Sequence, residues 1–153
     1  MPESSPFKYA EADDSVGFLL WKITALWQKK LAQVLGAFNI TQTQYAILAS
    51  LRWFEENGEP TTQAHISSHA KIDKMTVSKA VRKLEKIGLV RRQSSTSDGR
   101  ATNVQFTAEG RKAVAKAIEA VENADEEFFA CLSEDQRAKY RFLTLAAISG
   151  NSN

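Results

Sequence analysis

The chain has 153 residues, 43% hydrophobic and 25% charged, the balance of a globular protein able to bury a core. Its leading apolar run, Val16 to Trp21, falls far short of the ~18 to 20 residues a membrane-spanning helix needs, and the acidic opening MPESSPFKYAEADDS lacks the basic leader of a secretory signal. A lone cysteine, Cys131, offers neither a disulfide nor a paired thiol ligand, so the expectation is a cytoplasmic protein with no metal and no cofactor.

The first helix is predicted to start at Asp13 or Asp14, since Val16, Leu19, Leu20, Ile23, Trp27, Leu31 and Leu35 recur at helical spacing, and to stop at Gly36. Thr41 and Gln44 form a capping box that opens a second helix, closed by NGEP at residues 57 to 60. A short helix from roughly Gln63 to His69 follows. Asp73 caps the next one, KMTVSKAVRKLEKI, and Gly88 ends it. The runs LVRRQSS and ATNVQFT read as a two-stranded hairpin. Thr107 caps a long helix running to near Cys131, and Ser133 with Gln136 caps a sixth, which carries Tyr140, Leu143 and Ile148.

The net charge of +2 is unevenly placed. Residues 61 to 112 hold eleven lysines and arginines against four acids, a local +7, while the rest holds nine against fourteen, or −5. A basic middle between acidic arms suits a polyanion-binding module on a supporting scaffold. Helix, tight turn, capped helix and hairpin is the order of a helix-turn-helix with a β wing. In the capped helix, Val77, Ala80, Val81, Leu84 and Ile87 share an inward face. The opposite face carries Met75, Lys79, Arg82 and Lys86, with Ser78 and Lys83 at its edges, and Lys74, Met75, Thr76, Ser78, Lys79 and Arg82 are the candidate DNA contacts. Small or adaptable residues near the start suit base edges, and the later cations suit phosphates. Alone, that stripe is also what a solvated lysine-rich face looks like. Arg91, Arg92 and Arg100 beside it favour nucleic acid, because a guanidinium on a narrow hairpin tip can enter a minor groove.

The run KMTVSKAVRKLEKIGLVRRQSSTSDGRATNVQFTAEG, residues 74 to 110, resembles the recognition helix and wing of the MarR (multiple antibiotic resistance regulator) family of bacterial transcription factors. The resembling positions are Arg92, Asp98, Arg100, Phe106, Thr107 and Gly110, and the six-helix order extends the likeness along the whole chain. The resemblance implies a mainly α fold with a small antiparallel hairpin wing, in an intertwined homodimer. Residues 13–36 and 108–149 would dimerise, and 41–107 would form the winged helix-turn-helix. It further implies a repressor that binds a palindromic double-stranded DNA operator and is released by a small aromatic or phenolic effector. Arg100 would probe the minor groove, Gly99 would bend the wing, and Asp98 would brace it against Arg92.

The aromatic content agrees with a dimer: Phe18, Trp21, Phe128, Phe129 and Phe142 are more than two helical arms would usually hide. Trp21, Tyr45, Arg52 and Trp53 are candidate effector-pocket residues, with aromatic walls and a cation for a carboxylate. His65 and His69 stand four apart, but neither a third ligand nor an adjacent glutamate accompanies them, so surface or phosphate-contact histidines are expected. Cys131, near Phe128, Phe129 and Leu132, is expected to be a buried thiol. No nucleophile with a base partner, no paired acid and base carboxylates and no phosphate-cradling glycine loop appears, and the chain does not read as an enzyme.

Overall fold

The computed structural model describes residues 4 to 94 and 101 to 152. A 3-10 turn at Ala12–Asp14 leads into α1 (Val16–Gly36), α2 (Gln42–Glu56), α3 (Gln63–Ala70), α4 (Lys74–Lys86), β1 (Val90–Ser94), β2 (Thr102–Phe106), α5 (Ala108–Phe129) and α6 (Glu134–Gly150). This is the expected six-helix order with one hairpin.

The caps follow from local chemistry. Thr41 Oγ1 accepts the Gln44 amide at 3.1 Å while Gln44 Oε1 accepts the Thr41 amide at 3.0 Å. Ser133 and Gln136 make the same exchange at 3.2 and 2.9 Å. Two predicted boundaries shift. Asp13 and Asp14 lie in the 3-10 turn, and Ser15 is the residue that caps α1, accepting the Phe18 amide at 3.3 Å. Gly36 remains helical, and the chain turns after it through Asn39, at φ 55°. Gly88 does stop α4, at φ 85°, where a side chain would be strained.

Strands β1 and β2 pair antiparallel, from Val90 opposite Phe106 to Ser94 opposite Thr102. The Val104 amide also donates to the Thr61 carbonyl at 2.9 Å, so the segment entering α3 adds a short third edge to the wing base. At the other end, Thr107 ties β2 to the Gly88 turn and to α5. Its Oγ1 donates to the Gly88 carbonyl at 2.6 Å and accepts the Gly110 amide at 3.0 Å, and its own amide donates to the Leu89 carbonyl at 3.1 Å.

One core joins these parts. Leu35 of α1, Leu51 and Phe54 of α2, Ile66 of α3, Val77, Val81 and Leu84 of α4, Val90 and Val104 of the strands and Val114 of α5 are all fully buried. Ion pairs bind α5 to its neighbours: Arg111 reaches both oxygens of Glu55 on α2 at 2.9 and 3.1 Å, and Lys30 of α1 meets Glu127 at 2.7 Å.

The first half of α1 and all of α6 stand apart from this core. Trp21 is 73% exposed and Phe142 72%, with Phe18, Leu143 and Leu145 also open. Phe128 and Phe129, counted with them in the sequence, instead pack within the chain against Trp27 and Tyr140 at ring distances of 5.5 and 5.4 Å. Cys131 is exposed, contrary to the burial expected from its apolar neighbours, because α5 ends at Phe129 and the thiol falls in the turn toward α6. No helix among the described residues is long and apolar enough to cross a membrane.

Candidate nucleic-acid interface

Helix α4 divides as its periodicity predicts. Val77, Ala80, Val81 and Leu84 are buried, whereas Lys74, Met75, Lys79, Arg82, Lys83 and Lys86 are exposed and Thr76 and Ser78 lie between. Ile87 departs from the pattern. The helix ends at Lys86, so Ile87 sits at the C-cap, where the chain leaves the helical track, and it is exposed.

The start of α4 is rigid. Asp73 Oδ1 accepts the Thr76 amide at 2.9 Å, and Oδ2 accepts the Thr76 hydroxyl at 2.6 Å. These bonds hold the Asp73 carboxyl below the usual carboxylate range. Thr76 is therefore engaged in the cap, so of the residues expected to meet base edges, Met75 and Ser78 are the freer. Beside this turn, Thr62, Gln63, Ala64, Lys74, Ala101 and Thr102 line a cleft of about 240 Å³, where the first turn of α3 meets the wing base. Sequence reading missed this cleft, which depends on the Thr61–Val104 pairing.

Among the described residues, Lys74, Lys79, Arg82, Lys83, Lys86 and Arg91 form no ion pair, which leaves their charge open to an external anion. Arg92 differs. Its amide donates to Glu85 Oε2 at 2.9 Å, and its Nε and Nη2 both reach Glu85 Oε1 at 3.0 Å. These bonds hold the Glu85 carboxyl below its ordinary range. Glu85 is thus a partner of Arg92 that the sequence did not suggest. Asp98, Gly99 and Arg100 lie outside the described residues.

Three of the four candidate effector residues meet. Tyr45, Arg52 and Trp53 line a cleft of about 410 Å³ between α2 and α5, with Glu56, Ile118 and Glu122. Trp21 is not part of it. It projects from the exposed first half of α1, whereas Tyr45, Arg52 and Trp53 are on α2. Nor is Arg52 a free cation, since Glu56 holds it at 2.8 Å. Burial, reinforced by Glu122 and Asp125, pushes the Tyr45 hydroxyl up to about 12. His65 and His69 both pack on Phe54, with ring distances of 4.3 and 5.0 Å. Both rings are thereby anchored to the core beneath α3.

Comparison with known proteins places this geometry. The model for the ArnR1-like, winged-helix domain matches residues 36–124. The HTH-type transcriptional regulator YdcH of Bacillus subtilis is 36% identical over 123 residues, spanning 80% of this chain and 84% of the relative. The chain belongs to the winged-helix HTH-type transcriptional regulators. A MarR-family regulator from Rhodococcus superposes with a TM-score of 0.79 at 23% identity, covering 92% of this chain and 96% of that one. MepR of Staphylococcus aureus, solved as a DNA complex, gives 0.79 at 25% identity, over 89% and 98% of the two chains.

Proposed function

We propose that this regulator works as a homodimer that represses transcription by binding a palindromic DNA operator in the cytoplasm, acting by binding and not by turnover. The observation that carries the reading is the cationic face of α4, unpaired among the described residues and continued by Arg91 on β1, on a module whose opposite face is core. Residues 41–107 then form the DNA-binding unit. Residues 13–36 and 108–149 form the dimerisation arms, supported by the exposed Trp21, Phe142, Leu143 and Leu145, an apolar surface that a second copy would cover. Two-fold symmetry calls for half-sites about one helical turn apart.

Lys74, Met75, Thr76, Ser78, Lys79 and Arg82 are assigned to the major groove, and Arg92, Asp98, Gly99 and Arg100 to the wing. Selecting bound duplexes from random DNA tests this directly; recovery of no inverted repeat would sink the reading. On the selected operator, Arg100→Ala is expected to weaken binding roughly five- to tenfold and to flatten preference at the positions beneath the wing. Unchanged affinity in an anisotropy titration would remove Arg100 from the minor groove.

The cleft at Tyr45, Arg52 and Trp53 is assigned to the effector. With Arg52 already held by Glu56, and Glu122 nearby, a carboxylate entering the cleft meets more negative than positive charge. Among the aromatic and phenolic effectors the resemblance implies, an amine or phenol fits better than the carboxylate that Arg52 suggested in the sequence. Release of operator by 2-naphthylmethylamine or 2-naphthol is expected at lower concentration than by 2-naphthoate, with Trp53→Phe identifying the cleft by its fluorescence. Stronger release by the naphthoate would reverse the charge assignment.

A further inference from the structure

Glu85 is the one carboxylate on α4, and its place is electrostatically unfavourable on two counts. It lies in the last turn, where the helix dipole disfavours an anion, and it stands on the element with the densest cations of a DNA-binding surface. Yet both its oxygens are engaged, one by the Arg92 amide at 2.9 Å and the other by the Arg92 guanidinium at 3.0 Å. A carboxylate gripping main chain and side chain of the same residue fixes the position of that residue as well as its charge. The strand explains why Arg92 is available. Alternation puts Arg92 on the same side as the buried Val90, and it is half-buried, while Arg91 is exposed. The link therefore spans the angle between the recognition helix and the first strand of the wing, on the far side of the Gly88 turn.

We infer that Glu85 is a positioning residue for operator binding, one that sets the angle of the wing against the recognition helix through Arg92 and does not itself touch DNA. The inference rests on the operator-binding reading above. It makes a prediction of unusual sign. Removing a negative charge from a DNA-facing surface should by itself tighten binding to any duplex. If Glu85 positions the wing, the operator must instead be lost.

The test compares wild type, Glu85→Gln and Glu85→Asp on the selected operator and on a random duplex across a salt series. Glu85→Gln is expected to weaken operator binding by roughly three- to fivefold, the range of an exposed ion pair, while random-duplex affinity holds or rises. Glu85→Asp keeps the charge but draws the carboxylate back by one methylene, and should also lose operator affinity. In the Arg92→Ala background, Glu85→Gln should cause no further operator loss, because the coupling is already gone. Thermal melts are to check that each variant is folded, Gln and Asp being the mildest changes at this position. Tighter binding of Glu85→Gln to both duplexes would overturn the inference and leave operator binding intact. A wild type that does not distinguish operator from random duplex would instead overturn the operator reading.

Discussion

Gly110→Ala is expected to lower stability by roughly 3 kcal/mol or more, at the upper end of what overpacking usually does. The reason is steric and local. A Cβ on Gly110 would lie 1.9 Å from the Leu89 carbonyl oxygen and 2.8 Å from its carbon. The neighbour is backbone, and it is pinned, since the Leu89 carbonyl accepts the Thr107 amide and Thr107 in turn holds Gly88 and Gly110. Helix propensity works the other way, since alanine is better than glycine inside a helix by about 1 kcal/mol, and the clash must exceed that gain. Gly36 supplies the control: it is also helical, but nothing lies within 4 Å of its Cβ position, so Gly36→Ala should be neutral or slightly stabilising. Urea unfolding at one fixed protein concentration measures both. Equal midpoints for wild type and Gly110→Ala would refute the close approach of α5 to the wing base.

The largest effect on DNA is expected from Lys79→Ala combined with Arg82→Ala, a loss of roughly 100-fold in operator affinity near physiological salt. Both residues are exposed on α4, and neither has an ion-pair partner among the described residues, so the fold should be indifferent to their removal. A dimer would lose four cations. If each neutralises one phosphate, the slope of log affinity against log salt should fall by roughly 3 to 4. Slope and affinity must move together. An affinity loss with unchanged slope would assign these side chains to base edges, and no change in either would show that the stripe is solvated surface.

How much could be read in advance depended on how far apart the interacting residues are. The capping boxes at Thr41 with Gln44 and Ser133 with Gln136, the Asp73 cap and the Gly88 stop are decided within four residues, and each is as expected. The inward face of α4 follows from periodicity alone and fails only at Ile87, where the helix ends and periodicity no longer applies. Contacts set by tertiary register were not legible. Glu85 meets Arg92 only because the Gly88 turn folds β1 back along α4, and many opposite charges seven apart never meet. Thr61 pairs with Val104 across more than forty residues. Arg52 looked like a free cation for a carboxylate, but on the folded helix Glu56 stands one turn away and takes it. Trp21 and Cys131 were misplaced for a related reason: composition shows that a residue is apolar, and only the packed chain shows whether anything within it is there to cover that residue.

The Thr107 junction has a mechanical consequence. Thr107 bonds Gly88 and Leu89 at the foot of the wing while it caps α5, and Gly110 seats the first turn of that helix directly on the Leu89 main chain. The joint is thus a welded elbow rather than a hinge. A torque on α5, wherever along its 22 residues it is exerted, arrives at the wing as rotation of one stiff lever, and helix length converts a small angular step into a large displacement. Replacing Thr107 by glycine would remove both Oγ1 bonds and loosen the weld, so that α4 and the hairpin no longer follow α5.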